Sequence, residues 1–473
     1  MSFVSFEFFV FLAVFCILWP FVRKHRSLRL VVITAASFVF YGWWDWRFLF
    51  LLIGTGLVDF FAALAIERWP TRRTPALWVS LSMNIGCLVF FKYLGFAGDQ
   101  LRGILDLPPS QWSWTHSIAL PVGISFYTFQ SMSYTIDVYR GHLRAVRNPF
   151  HFFSYLAMFP QLVAGPIVRA VDLLPQLEHE GNFNRINRWV GLQLVTLGLF
   201  KKLVIADNIA PLVNAAFGAR TESLGGATWW IAAFSFGGQI YCDFSGYSDI
   251  ACGIALWLGY SFNANFRHPY LAVGFRDFWA RWHISLSTWF RDYVFIPLGG
   301  SRRTPLRNTT NLWFTLLISG LWHGANWTFL VWGGLHAFFL SCERVFGKRF
   351  FGSTSGYVRF IGWLVTLACV TIAWVAFRAN SSQQVFHIWH EMFWSIGDAT
   401  GLATLVTPSV VLGLACLIGV ESSSAALIRM RKDDPDPIWF RKPSLVGSIV
   451  VVAGLFFSIF LRGPGSEFIY FAF

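Results

Sequence analysis

Two histidines stand out by their settings: His283 in the run RWHIS and His323 in the run GLWHG, each following a tryptophan. An imidazole takes or gives a proton near neutral pH, so either residue can serve as a base toward a hydroxyl. Around His283 the segment 275–293 carries Arg276, Arg281, Ser287, Arg291 and Asp292, and Asn326 follows closely on His323. Arginine and amide groups in a water-poor site suit the stabilisation of a developing oxyanion. No GxSxG elbow surrounds a serine and no reactive-cysteine pattern occurs, so a covalent intermediate on Ser or Cys is not indicated. Phosphate-binding and dinucleotide fingerprints are missing as well.

The elements that would position these residues follow from periodicity. At about 100° per residue, 275–293 reads as one two-faced helix. Phe275, Phe278, Trp282, Leu286, Trp289 and Tyr293 take one side and the charged and hydroxyl residues the other, with His283 at the border. A charge at bilayer depth costs several kcal/mol, so this helix is expected at the interface, or dipping inward with its polar face toward protein or water. Its arginines then wall a polar chamber around His323, with His283 beside them. The apolar run 312–342 is too long for one straight span, and Gly320, Gly324, Gly333 and Gly334 offer places to break. His323 falls about 17 Å beyond Leu312 along a helix, near the middle of a hydrocarbon core about 30 Å thick. At that depth it needs a partner or water, whether for catalysis or for a hydrogen bond between helices. His336, about 220° further round an unbroken helix, is expected to face elsewhere and to pack.

Composition sets the class. Hydrophobic residues make up 55% of the chain and charged residues only 13%, with 24 Trp and 52 Phe. The chain therefore reads as an all-α, polytopic membrane protein with no room for a large soluble domain. Roughly 11 or more spans are expected, with re-entrant or interfacial helices, around a central polar tunnel. They fall at about 3–22, 28–44, 48–66, 77–96, 118–137, 187–206, 227–258 (in one piece or two), 312–342, 358–377, 402–420 and 445–461. All belong to a single domain, 1–473, whose catalytic core covers about 118–342. A formal charge of +13 could suggest nucleic acid. The basic residues, however, cluster in short loops between apolar runs, as the positive-inside rule produces, and nucleic acid is set aside. Loops 23–29, 67–75, 140–148, 343–350 and 429–442 are then cytoplasmic, and 379–400 and both termini lie outside, the first span being uncleaved. The seven cysteines show neither metal nor disulfide spacing and read as small core residues.

Other polar patches are harder to place. In YCDFSGYSD (241–249), Asp243 and Asp249 are costly in hydrocarbon unless paired. Either the arginines of 276–291 meet them and the group orients the histidines, or the stretch is a loop in water. FPQLVAGPIVR (159–169) contains Pro160, Gly165 and Pro166, which break a helix; it reads as a re-entrant loop that lines a path or simply kinks. His25, His116, His142, His151, His179, His387 and His390 sit in loops or at span ends and are expected in water. His268, in NFRHPY, is a loop residue without an assigned role.

FWARWHISLSTWFRDYVFIPLGG followed by GLWHGANWTFLVWGGLHA resembles the paired signature of the membrane-bound O-acyltransferases (MBOAT), in the bacterial branch of the alginate O-acetyltransferase membrane subunit. LPVGISFYTFQSMSYTIDVYRG, FPQLVAGPIVR and YCDFSGYSDIACG resemble further signatures of that branch, in the same order. The resemblance covers most of the chain. It implies that His323 is the essential histidine and His283 the second one. His323 would act as base, while His283, Asn326 or an arginine of 276–291 aids orientation or charge stabilisation. It further implies a multi-pass protein of the bacterial inner membrane that binds no cofactor and uses an acyl thioester (acetyl-CoA or an acyl carrier) as co-substrate. The acyl group, expected to be acetyl, would reach an extracytoplasmic polysaccharide such as alginate, cellulose or peptidoglycan, with a periplasmic acetyltransferase partner completing the transfer. D-alanyl transfer to teichoic acid is the rival within the family. A polysaccharide transporter is a rival outside it, which the lack of a second copy of either histidine motif disfavours. A purely structural scaffold would leave the buried polar groups without purpose.

Overall fold

The computed structural model describes residues 1–106, 108, 113–163, 165–218, 224–350, 355–430, 440 and 442–469. Among these no strand occurs. The helices are α1 (Phe6–Val22), α2 (Arg26–Gly42), α3 (Arg47–Arg68), α4 (Arg73–Leu88), α5 (Leu94–Leu105), α6 (Ile124–Arg140), α7 (Pro149–Leu156) and α8 (Phe159–Leu162). There follow α9 (Ala170–Leu177), α10 (Arg185–Leu199), α11 (Asp207–Gly218), α12 (Gly226–Leu258), α13 (Phe275–Arg281), α14 (Ile284–Phe290), α15 (Pro305–His323) and α16 (Trp327–Phe350). The last are α17 (Gly356–Arg378), α18 (Ser382–Trp394), α19 (Leu402–Leu405), α20 (Pro408–Met430) and α21 (Leu445–Phe460). Five helical runs among the described residues are long and apolar enough to cross a membrane: Arg47–Arg68, Pro70–Leu105, Arg185–Gly218, Trp327–Gly347 and Gly356–Arg378. Phe6–Val22, Pro408–Ser423 and Leu445–Phe460 are shorter apolar helices. This is a multi-pass membrane protein.

Packing divides the chain into two compact units. One comprises Met1–Val195 with Ile250–Asn263, the other Thr196–Asp249 with Ala264–Phe473. In the first, Phe159 of α8 is ringed by Phe11, Phe15 and Phe40 at 5.2, 5.3 and 5.9 Å between centroids. In the segment 159–169, Phe159–Leu162 form a four-residue buried helix, and residues 165–169 are not helical. Gly123 opens α6 beside it in the left-handed region (φ 75°), where an added Cβ would stand 2.8 Å from Leu162 O. His151, expected in water, is buried on α7 with Nε2 3.1 Å from Leu174 O. Its helix packs against α2 and α9, a partnership that the local sequence does not reveal.

The second unit carries the aromatic core: Trp229, Trp282, Trp332 and Trp374 are buried together with Phe236 and Phe278. The stretch 227–258 forms one continuous helix, α12. The run 312–342 breaks, as its glycines suggest, into α15 and α16. Asn326 Oδ1 accepts from Thr328 N at 3.1 Å to cap the second helix. The two helices fold back on each other at close range. An added Cβ at Gly320 would meet Phe329 O, and one at Gly333 would meet Leu316 O. The loop 379–400 contains an unforeseen helix, α18, capped by Ser381.

Candidate active site

The segment 275–293 is not the single helix that its periodicity predicts. It breaks at Trp282–His283 into α13 and α14, and His283 adopts left-handed backbone (φ 43°, ψ 54°). That conformation is uncommon for a residue with a Cβ and persists where surrounding contacts hold it. Asn265 supplies them. Its backbone O accepts from Ile284 N at 2.9 Å, and its Oδ1 accepts from Ser285 N at 3.2 Å and Ser285 Oγ at 2.9 Å. The same Oδ1 lies 3.2 Å from His283 Nδ1, which orients the imidazole. Asn265 in turn donates through Nδ2 to Ser248 Oγ at 3.2 Å. This residue escapes sequence reading because an asparagine in a loop carries no distinguishing spacing.

His283 is fully buried, with its ring edge-on to Phe244 at 4.6 Å and 6.2 Å from Trp322. His323 ends α15 and is buried against Trp322 (5.0 Å), Trp332 (5.0 Å) and Phe377 (5.1 Å). Trp322 touches both histidines and so limits the separation of their rings to the sum of its two distances, about 11 Å. His336 does not face elsewhere. It meets Trp332, four residues before it on α16, at 4.8 Å, on the ring that also touches His323. Phe278, Trp279 and Phe339 complete its box, and neither ring nitrogen has a hydrogen-bond partner among the described residues.

The arginine-lined chamber is corrected as well. Arg281 pairs with Asp277 at 2.6 Å and Arg291 with Asp292 at 2.6 Å, both at partly open positions, and Arg276 is exposed. The ring neighbours of His283 are Phe244, Phe266 and Trp322, with Asn265 at its Nδ1. Ser287 Oγ donates to Trp282 O at 3.2 Å and so secures the break. Asn326, besides capping α16, donates to Asn380 O at 3.1 Å.

Asp243 and Asp249 are paired, but with lysines rather than with those arginines. Lys201 and Lys202 lie in a π-helical turn, Phe200–Ala206, between α10 and α11. Lys201 Nζ meets Asp249 Oδ2 at 2.7 Å. Lys202 Nζ is enclosed by Asp243 Oδ1 at 2.8 Å and Asp207 Oδ1 at 2.9 Å, all three side chains being at most 2% exposed. A strap, residues 463–469, completes this ion cluster. Lys202 Nζ donates to Ser466 O at 2.8 Å, Ser466 Oγ donates to Asp207 Oδ1 at 2.7 Å, and Ile469 N donates to Asp243 Oδ2 at 2.7 Å. Phe468 of the strap packs on Tyr247 and on Phe244, and Phe244 touches His283.

The second unit holds two cavities, lined by residues near the histidines in sequence or in the aromatic cluster. One, of about 200 Å³, has Trp279, Ser287, Arg291, Thr315 and Ser319 in its walls, Ser319 being one turn before His323 on α15. The other, of about 380 Å³, is lined by Tyr270, Trp374, Leu417 and Glu421. His268, unassigned from sequence, sits beside it with Nδ1 3.3 Å from Glu421 Oε1. Trp374 links this second cavity to the cluster, touching Trp282 at 4.9 Å and Trp332 at 6.2 Å. The arrangement is a buried aromatic cluster that holds two imidazoles, with cavities in the same unit.

Residues 140–383, which include both histidines, match the model of the membrane-bound O-acyltransferase family. The chain is 38% identical over 420 residues to "Probable alginate O-acetylase AlgI" of Pseudomonas aeruginosa, covering 85% of the chain and 79% of the relative. It is 36% identical over 381 residues to the peptidoglycan O-acetyltransferase of Helicobacter pylori, covering 75% and 71%. With the teichoic acid D-alanyltransferase of Bacillus subtilis it shares 27% identity over 245 residues, covering 49% and 61%.

Proposed function

The chain belongs to the membrane-bound O-acyltransferase family, and from that premise we propose that it takes an acetyl group from a cytoplasmic thioester and delivers it across the inner membrane for O-acetylation of an extracytoplasmic polysaccharide. The observation that carries the reading is the pair of buried histidines, His283 and His323, both in ring contact with Trp322 among aromatic side chains. In this scheme His323 removes the proton from the acceptor hydroxyl, and the oxygen attacks the thioester carbonyl. The tetrahedral intermediate collapses with loss of thiolate, which recovers the proton from the imidazolium. The acceptor is then an ester and the donor a free thiol. His283, oriented by Asn265, assists as a second donor. Exclusion of water strengthens these interactions and protects the thioester from hydrolysis.

A tunnel between the two faces of the membrane, an acyl-CoA or acyl-carrier donor, and a periplasmic acetyltransferase that completes the transfer belong to the same proposal. Acetyl is favoured over D-alanyl transfer because the relatives named as acetylases cover far more of the chain at higher identity. The test is His323→Ala. The variant is expected to reach the membrane at normal levels and to leave the polymer unacetylated. Near-normal acetyl content in that strain ends the proposal.

A further inference from the structure

Asp59 lies twelve residues from the start of α3 and nine from its end, so close to the middle of a helix long and apolar enough to cross a membrane. Its side chain is completely buried. Ser80 Oγ donates to Oδ1 and Ser131 Oγ to Oδ2, while Asn84 Nδ2 donates to both, at 3.0 and 2.9 Å. These donors come from α4 and α6, and all are neutral. Among the described residues Asp59 forms no ion pair. In the same cluster Asn84 Oδ1 is a buried acceptor without a hydrogen-bond partner.

Of the charged and titratable groups on the elements packed against α3, the Cys87 thiol faces Asp59 and most of the others have partners of their own. On α4, Arg73 donates to Tyr139 O at 2.5 Å and Cys87 is half-buried; Lys92, in the π-helical turn Val89–Tyr93 that follows, lies about two turns beyond Asn84. On α6, Tyr134 OH accepts from Val146 N at 2.9 Å, and Asp137 faces His142 at 3.7 Å. On α2, Arg29 donates to the carbonyls of Arg23 and Leu177, and Tyr41 packs on Tyr127. On α7, His151 meets Leu174 O, and Tyr155 OH donates to Gln130 O at 3.0 Å. Glu67, on α3 itself, accepts from Ala145 N at 2.6 Å and faces Arg147. A carboxylate at this depth with only neutral partners carries a charge that hydrocarbon does not tolerate, and intramembrane acids of this kind commonly mark ion or proton sites.

We propose that Asp59, Ser80, Asn84 and Ser131 form a binding site for a monovalent cation, H⁺ or Na⁺, whose charge neutralises the carboxylate. The donor set is hard oxygen throughout: a carboxylate, two hydroxyls and the amide oxygen that now lacks a partner. A proton would leave a neutral acid held by the same neutral groups. The site belongs to the first unit and stands apart from the acyl-transfer reading.

The test compares the purified full chain with Asp59→Asn, a neutral replacement of the same shape. Unfolding midpoints are measured over a range of pH, and in NaCl against choline chloride at equal ionic strength. If the ligand is H⁺, the wild type loses stability relative to the variant as pH rises, because the stabilising proton is bound at low pH and leaves at high pH. If it is Na⁺, NaCl raises the wild-type midpoint by several degrees and leaves the variant unmoved. Wild type and variant responding alike to both pH and Na⁺ overturns the proposal. Should Asp59→Asn fail to accumulate, Ser131→Ala takes its place. It removes one oxygen of the site and is expected to weaken the Na⁺ shift or displace the pH midpoint, and a wild-type response in it is equally fatal.

Discussion

His283 and His323 are held by different means, and their substitutions should fail differently. His323 closes a helix in ordinary geometry, whereas His283 sits in left-handed backbone beside Asn265. Asparagine tolerates that backbone better than most residues, so His283→Asn preserves the break between α13 and α14 while removing the imidazole. Turnover is expected to fall by about tenfold or more with little change in melting temperature, as general acid–base groups typically show. An acetylation rate within twofold of wild type would remove His283 from the mechanism. His336 should behave in the opposite way. Among the described residues its nitrogens have no hydrogen-bond partner and its neighbours are aromatic rings, so His336→Phe replaces a buried polar group with an apolar one of similar shape. The expected result is unchanged or raised stability with acetylation retained. Loss of activity at full stability would show that this imidazole also handles protons.

At the scale of elements, what was legible depended on whether the signal was local. The break of 312–342 announces itself in glycines, and the structure opens there because Gly320 and Gly333 bring two backbones together. The break of 275–293 does not, because FWARWHIS has no helix breaker. Its cause is Asn265, upstream in a loop, whose hydrogen bonds outweigh the loss of a helical turn. The partners of Asp243 and Asp249 were hidden for a related reason. Lys201 and Lys202 lie inside an apolar span some forty residues away, and only the π-helical turn makes the burial of adjacent lysines affordable. That arrangement has a measurable cost when broken. Lys202→Met leaves Asp207 and Asp243 buried without their cation, and destabilisation of about 3–5 kcal/mol is expected by thermal or denaturant unfolding. A variant as stable as wild type would show the cluster to be dispensable.

At the scale of the whole molecule, the class was readable from composition and the order of helices largely from apolar runs. Orientation rests on the basic loops alone, and it can be checked directly. Basic clusters at 23–29 and 429–442 each lie one span from a terminus, so reporters active only in the periplasm are expected to work when fused at either end. A fusion at the second end active only in the cytoplasm would show that one span was miscounted.

The strap at 463–469 bears on how the protein comes to be made. Ser466 reaches back 264 positions to Lys202 and 259 to Asp207, and Ile469 reaches back 226 to Asp243. A growing chain passes its lysine and both acids into the bilayer long before the ribosome has produced the residues that finish their coordination. Until then the cluster has open hydrogen-bonding valences, and Phe244, the neighbour of His283, has lost one of its contacts. Completion of the ion cluster therefore waits for the arrival of distant sequence. Nascent chains stalled before residue 463 should be inserted, protease-sensitive and inactive.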